Sequence, residues 1–224
     1  MGSEDSRPGR LPHGYTNLTR VEDGVVVKTY AGPDAGLRRD RERAALTRLA
    51  GLLPVPPLLV SDATSARLGH LPGEHGQELL ARHVDAGPAM AVLAACGTTL
   101  RRLHEVVPGP LVHGDYGPNN LLLDPDTYAV TAILDWEFSH VGEPVEDLAW
   151  CEWIVRTHHP DRVPLLDAFF TAYGERDVPG WPVRKAAMVA RCGELIEFCH
   201  RWDPDGAAVT LWRCRLAETS TWTM

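Results

Sequence analysis

The sequence predicts an α+β fold with a small N-terminal β-sheet lobe and a mostly helical C-terminal lobe. Three observations carry this. Short β-rich runs bounded by Gly and Pro fill the first third of the chain; long segments with helical periodicity fill the rest; and one hairpin-like stretch near the middle interrupts them.

The elements follow in order. Leu18-Thr19-Arg20-Val21 and Gly24-Val25-Val26-Val27-Lys28-Thr29-Tyr30 read as strands. Asp34 to Ala50 reads as a helix, with Asp34 as N-cap after Gly32-Pro33 and apolar positions at Leu37, Ala44, Ala45, Leu46 and Leu49. Pro54-Val55-Pro56-Pro57 stops it, and Leu58-Leu59-Val60 and Ala66-Arg67-Leu68-Gly69-His70 complete a small sheet. Leu71-Pro72-Gly73-Glu74-His75-Gly76 reads as a hinge between lobes. Helices are then expected over Ala89 to Glu105, Val145 to His158, Val163 to Tyr173, Val183 to Trp202 and Gly206 to Thr219. These boundaries give a loose tail over residues 1–10, an N-lobe over 11–72 and a C-lobe over 73–224.

The most informative stretch is His113-Gly114-Asp115-Tyr116-Gly117-Pro118-Asn119-Asn120, with Asp135-Trp136-Glu137 beyond it. Gly114, Gly117 and Pro118 make a loop after the apolar pair Leu111-Val112. Leu121-Leu122-Leu123-Asp124 and Tyr128 to Leu134 then form a hairpin around Asp124-Pro125-Asp126-Thr127. The hairpin returns Asp135 beside Asn120. One carboxylate able to accept a hydroxyl proton, with an amide and a second carboxylate able to hold Mg²⁺, is what phosphoryl transfer needs.

These residues, together with Gly142-Glu143-Pro144 and Glu146-Asp147-Leu148-Ala149-Trp150, resemble the aminoglycoside phosphotransferase and choline kinase-like family. That resemblance implies a bilobal protein-kinase-like fold and phosphorylation of small-molecule hydroxyls. It implies Asp115 as the catalytic base, Asn120 and Asp135 as metal ligands, and ATP or GTP as donor. Gly114 follows the small-molecule pattern where protein kinases have Arg. His113 is expected to brace the loop by hydrogen bonding, and Asp147 to support it.

Lysine usage finds the donor-phosphate contact. The 22 Lys and Arg residues include only Lys28 and Lys185 as lysines, so a Lys at the end of a strand stands out. Lys28 resembles the lysine that contacts nucleotide phosphates, with Glu42 as its acidic partner and Asp40 as the alternative. The glycine-rich loop reduces to Gly14-Tyr15-Thr16-Asn17, which leaves Thr16 and Asn17 as expected phosphate contacts. His70 and Leu71 fall where the base would meet backbone groups of the hinge.

Composition bounds the partners. The net charge is −8. Residues 1–134 carry 13 basic and 15 acidic side chains, and residues 135–224 carry 9 and 15. Nucleic acid is not expected, since its binding rests on clustered Lys and Arg. A cationic hydroxylated acceptor, such as an antibiotic, suits an acidic C-lobe, with Glu143, Glu146, Glu152, Glu194 and Glu197 as candidate contacts; antibiotic inactivation or self-resistance is the expected role. A metabolic kinase for a sugar, amino alcohol or nucleoside, and a catalytically silent nucleotide-binding pseudokinase, remain as alternatives. Trp150, Trp153, Trp202 and Trp212 are expected to fill core or line the acceptor pocket. No apolar run is long enough to span a membrane and no signal segment is recognisable, so a cytoplasmic protein is expected. The five cysteines have no metal-site spacing and read as free thiols.

Overall fold

The protein is described by a computed structural model over residues 17–82, 85–106, 109 and 111–224. Strands β1 (Asn17–Glu22) and β2 (Val25–Tyr30) form a hairpin whose two turn residues, Asp23 and Gly24, both have positive φ (50° and 74°). An Asp-Gly pair accepts that backbone with little strain and matches the strand twist. Helix α1 (Ala35–Leu49) follows, then β3 (Leu58–Ser61) and β4 (Ser65–Gly69). The four strands form an antiparallel sheet in the order β1-β2-β4-β3.

The remainder is mostly helix. Strand β5 (Glu74–His75) leads into α2 (Gly76–Arg82) and α3 (Ala86–Val106); β6 (Leu111–Val112), β7 (Leu121–Leu123), β8 (Val130–Ile133) and β9 (His140–Val141) surround the central loops. Helices α4 (Pro144–His158), α5 (Leu166–Tyr173), α6 (Trp181–Trp202) and α7 (Ala207–Thr221) complete the chain. Two small sheets, β5-β7-β8 and β6-β9, fix the loops that carry the polar motifs. Among the described residues, no helix is long and apolar enough to cross a membrane.

One core cluster runs from Leu46 and Leu49 of α1 through Leu79 and Leu80 of α2 to Leu93 and Leu100 of α3 and Phe169 of α5. Helices α3 and α5 approach closely at Gly97, where a Cβ would lie 2.2 Å from the Phe169 carbonyl oxygen. A second cluster joins α4 to α6 through Trp150, Trp153, Met188 and Cys192.

Several expectations need correction. Asp34 does not cap α1 with its side chain; it adopts a left-handed backbone (φ 55°) and pairs with Arg201 at 2.8 Å. Leu37 is exposed, so the apolar stripe of α1 is narrower than its sequence suggests. The segment read as one helix from Val163 divides, because Pro164 sits in a 3₁₀ stretch (Pro160–Leu165) ahead of α5. The hinge contains β5 and the start of α2, neither foreseen.

Candidate active site

Helix α4 holds the loop after β6 through Asp147. This buried carboxylate accepts the backbone N–H groups of His113 (2.7 Å) and Gly114 (2.9 Å), and its Oδ2 lies 3.3 Å from Nε2 of His104. Burial alone would raise its pKa, but the hydrogen bond from His104, the nearby imidazoles and the His113 backbone N–H outweigh that and hold it below the usual carboxylate range. Gly114 has φ 78°, and a Cβ there would stand 2.4 Å from the Phe138 carbonyl oxygen. Backbone conformation and close contact both require glycine at this position. His113 Nε2 donates to the Leu134 carbonyl at 2.8 Å, and Nδ1 accepts the Asp115 backbone N–H at 3.2 Å, so one imidazole joins the loop to the end of the hairpin.

Asp115 is held at both oxygens. Trp150 Nε1 donates to Oδ1 at 2.7 Å, and Asn120 Nδ2 donates to Oδ2 at 2.8 Å and also to the Asp115 carbonyl. Burial raises the Asp115 pKa, and the charge of Asp135 adds to this; Arg191, the Trp150 N–H and His113 oppose it, with a net upward shift. A carboxylate shifted this way exchanges a proton more readily near neutral pH than an ordinary surface carboxylate.

The β7–β8 hairpin returns Asp135 to the same edge, where the Leu134 N–H donates to the Asn120 carbonyl at 2.8 Å. Asp135 has φ 63° and ψ 61°, a turn that aims its carboxylate at β2. There Lys28 Nζ lies 2.5 Å from Asp135 Oδ1, 2.7 Å from Glu42 Oε2 and 3.9 Å from Glu137 Oε2. Burial disfavours the ammonium, yet the three carboxylates prevail and raise its pKa well above the ordinary lysine value. Tyr30 donates to Glu42 Oε2 at 2.5 Å, and the Trp136 backbone N–H donates to Glu42 Oε1 at 3.3 Å. Asp40, the alternative to Glu42, is on the surface with Arg39.

Oxygen donors suit a hard cation such as Mg²⁺. Asn120 and Asp135 fit this role: hydrogen bonding of Nδ2 to Asp115 fixes which way the Asn120 amide faces, and the Asp135 carboxylate is partly open to solvent. Glu42, Asp135 and Glu137 also converge within 4.8 Å of one another, but the Lys28 ammonium sits among them and balances their charge.

The other expected residues each have their own surroundings. Asn17 turns inward: its Nδ2 donates to Glu137 Oε2 at 2.6 Å and its Oδ1 accepts from Arg38 at 3.1 Å. Thr16 lies outside the described residues. His70 is exposed and Leu71 half-buried just after β4. Glu152 is buried between Arg156 (2.9 Å) and Arg184 (2.7 Å), which removes it from the expected acceptor surface. Glu143 and Glu146 form a capping box at the start of α4, and Glu146 also meets His140 at 2.9 Å.

Two features escaped the sequence reading. Glu137 pairs with Arg38 at 2.6 Å across 99 residues, both fully buried. Trp150 touches Asp115; its position one turn after Asp147 on α4 was the available signal, since residues three apart share a helix face. Trp150, Gly114, His140, Glu146, Ala187 and Arg191 line a cleft of about 220 Å³ beside Asp115.

A model of the phosphotransferase enzyme family matches residues 107–187. Among curated proteins, acyl-CoA dehydrogenase family member 10 of Mus musculus is 39% identical over 59 residues, 26% of this chain and 5% of that protein. Family member 11 of Homo sapiens is 46% identical over 93 residues, 42% of this chain and 11% of that protein. The chain thus spans about a tenth or less of the length of these relatives. Solved structures share the fold over nearly the whole chain. The gentamicin complex of the aminoglycoside phosphotransferase APH(2'')-IIa has a TM-score of 0.70 at 13% identity, covering 95% of this chain and 91% of that one. ADP-bound APH(2'')-Ib has a TM-score of 0.66 at 12% identity, covering 97% and 93%. A choline/ethanolamine kinase family protein from Mesorhizobium loti has a TM-score of 0.68 at 16% identity, covering 96% and 87%. The family model thus matches the segment that carries Asp115, Asn120, Asp135 and Asp147, and the fold around that segment is the one these solved phosphotransferases and kinase-family proteins share.

Proposed function

We propose that the protein transfers the γ-phosphoryl group of ATP or GTP to a hydroxyl of a small molecule. The observation that carries this reading is the Asp115 carboxylate, fixed by Trp150 and Asn120 and raised in pKa, beside a cleft and one hairpin away from the Lys28–Asp135 pair. In this reading Asp115 orients the acceptor hydroxyl and takes its proton. The bond from the γ-phosphorus to the bridging oxygen breaks, a new P–O bond forms to the acceptor oxygen, and ADP or GDP leaves with the electron pair. Lys28, positioned by Glu42, contacts the donor phosphates, and the backbone near His70 and Leu71 meets the base. Asn120 and Asp135 would hold Mg²⁺, which supplies charge neutralisation on the transferred phosphoryl group. A cytoplasmic site of action, an N-lobe over residues 11–72, a C-lobe over 73–224 and a hinge over residues 71–76 belong to the same proposal.

Hydroxylated antibiotics are one acceptor class, supported by the aminoglycoside phosphotransferases among the structural neighbours. A small metabolite is the second, and cleft size favours it: about 220 Å³ is below the roughly 300–1,000 Å³ of pockets for drug-sized ligands. Intact Asp115, Asn120, Asp135 and Lys28 speak against a pseudokinase.

The test is a pair of variants assayed by mass gain of one phosphoryl group over a library of hydroxylated antibiotics and metabolites. Asp115→Asn should lower turnover by ~10²–10⁴-fold while Mg²⁺-nucleotide affinity is retained. Asp135→Ala should weaken nucleotide binding itself in a Mg²⁺-dependent manner. Wild-type turnover in Asp115→Asn would overturn the assignment.

A further inference from the structure

A second hollow of about 140 Å³ lies between α1 and the C-terminal half of α6 and shares Arg191 and Glu194 as lining with the cleft beside Asp115. Arg38, Arg41, Arg191 and Arg201 line it, against the acids Asp34 and Glu194. Each acid already has a partner: Asp34 meets Arg201 at 2.8 Å, and Glu194 meets Arg191 at 2.8 Å. Arg38 is neutralised from behind by Glu137. Among the described residues Arg41 has no side-chain partner.

Arg191 stands at the junction of the two hollows. Its guanidinium lies 5.0 Å from the Phe138 ring centroid and 5.8 Å from that of Trp150, which fixes its position. Its Nε is buried and makes no hydrogen bond. An unmet donor of this kind is costly unless a ligand satisfies it. Meanwhile Glu152, Glu146 and Glu143, which a cationic acceptor would need, are engaged with Arg184, with His140 and at the helix cap.

We infer that the acceptor is a hydroxy compound bearing an anionic group, a carboxylate or a phosphate, received by Arg191 and Arg41 while its hydroxyl lies at Asp115. This inference deepens the phosphotransferase reading of Asp115 and rests on it. Arg191 lies 5.8 Å from the ring centroid of Trp150, whose Nε1 donates to Asp115 at 2.7 Å, which places the anion-receiving group one side chain away from the reacting end. Phe138 and Phe198 supply apolar walls for the linker between the two ends.

A matched series of straight-chain alcohols tests this: ω-hydroxyhexanoate, ω-hydroxyhexyl phosphate, ω-hydroxyhexanamide and aminohexanol. With Mg²⁺-ATP, kcat/KM for the anionic members should exceed that for the amide and the amine by about 10- to 100-fold, the range of a charge-assisted hydrogen bond. Arg41→Ser and Arg191→Gln should each raise KM for the anionic members toward that of the amide, with nucleotide affinity retained. Arg191→Lys should restore part of the preference. An amine preferred over the anions, or a ranking that neither variant moves, overturns the inference. The same series is titrated calorimetrically into protein loaded with a non-hydrolysable nucleotide. Anion preference in binding without transfer to any member would sink the transfer reading alone. Absence of preference in binding would sink the charge inference, whatever the turnover.

Discussion

The indole N–H of Trp150 donates to the Asp115 carboxylate, Nε1 to Oδ1 at 2.7 Å, so the first helix after the catalytic segment reaches back to fix the candidate base. Trp150 itself is stacked on Trp153, ring centroids 4.4 Å apart and planes within 2°. The orientation of one carboxylate is thereby set by the packing of α4, α6 and α7.

Trp150→Phe keeps an aromatic ring and removes only the donor. Because that N–H favours the ionised carboxylate, its loss should raise the Asp115 pKa further and move the acidic limb of kcat/KM to higher pH. Hydrogen bonds to charged groups contribute about 1.5–3 kcal/mol, so a 10- to 100-fold fall in kcat/KM is expected. A pH-rate profile superimposable on wild type would refute the role.

Lys28→Met should be tolerated better in acid than in base. The ammonium is charged across the accessible pH range, and without it Asp135, Glu42 and Glu137 repel one another in a buried space. Repulsion among carboxylates acts only while they are ionised, so its cost to the folded state grows as pH rises. Thermal melts should show a larger deficit at pH 8 than at pH 5, roughly in the range of breaking a buried pair, 3–5 kcal/mol. An equal deficit at both values argues against electrostatic origin.

Asp147→Ala removes the acceptor for two buried backbone N–H groups and a histidine. Each unsatisfied donor costs about 1–3 kcal/mol, so a total loss near 3–5 kcal/mol is expected in denaturant titration. In the wild type, the depressed Asp147 pKa contributes stability that is present above the unfolded carboxylate pKa and lost as pH falls through the folded value. The unfolding free energy should therefore fall less steeply in the variant as pH is lowered through the carboxylate range.

Gly114→Ala meets two obstacles at once, a left-handed φ and the Phe138 carbonyl. The backbone alone costs roughly 1–2 kcal/mol. Relief requires moving either the Asp115 loop or the segment after Asp135, so kcat should fall at least about tenfold even where the melting temperature drops only by a few degrees. Unchanged kcat would show that the loop can shift without consequence.

The polar motifs were legible because each is local: five residues separate Asp115 from Asn120, and a hairpin with a readable turn returns Asp135. The main strands and long helices were legible from periodicity. Strands β5, β6 and β9 are two residues long and exist only through pairing with distant segments, as Leu111 does with Val141. No local signal marks them. The bond of Asn17 to Glu137 was invisible for the same reason, since the two lie 120 residues apart. Exposed acidic character was read from composition, but composition cannot reveal that Glu152 is sequestered between two arginines.

Helix α1 is bolted to the segment after Asp135 twice over, by Arg38 on Glu137 and by Glu42 on the Trp136 backbone. In related folds such a helix can swing outward to switch activity off. Here that motion would strand Arg38 and Glu137 as unpaired buried ions at a cost of about 3–5 kcal/mol, leaving the swung-out form well below ~1% of molecules. Outward motion of α1 is therefore a costly way to disassemble this site, and the two contacts hold the helix and the segment after Asp135 together as one unit.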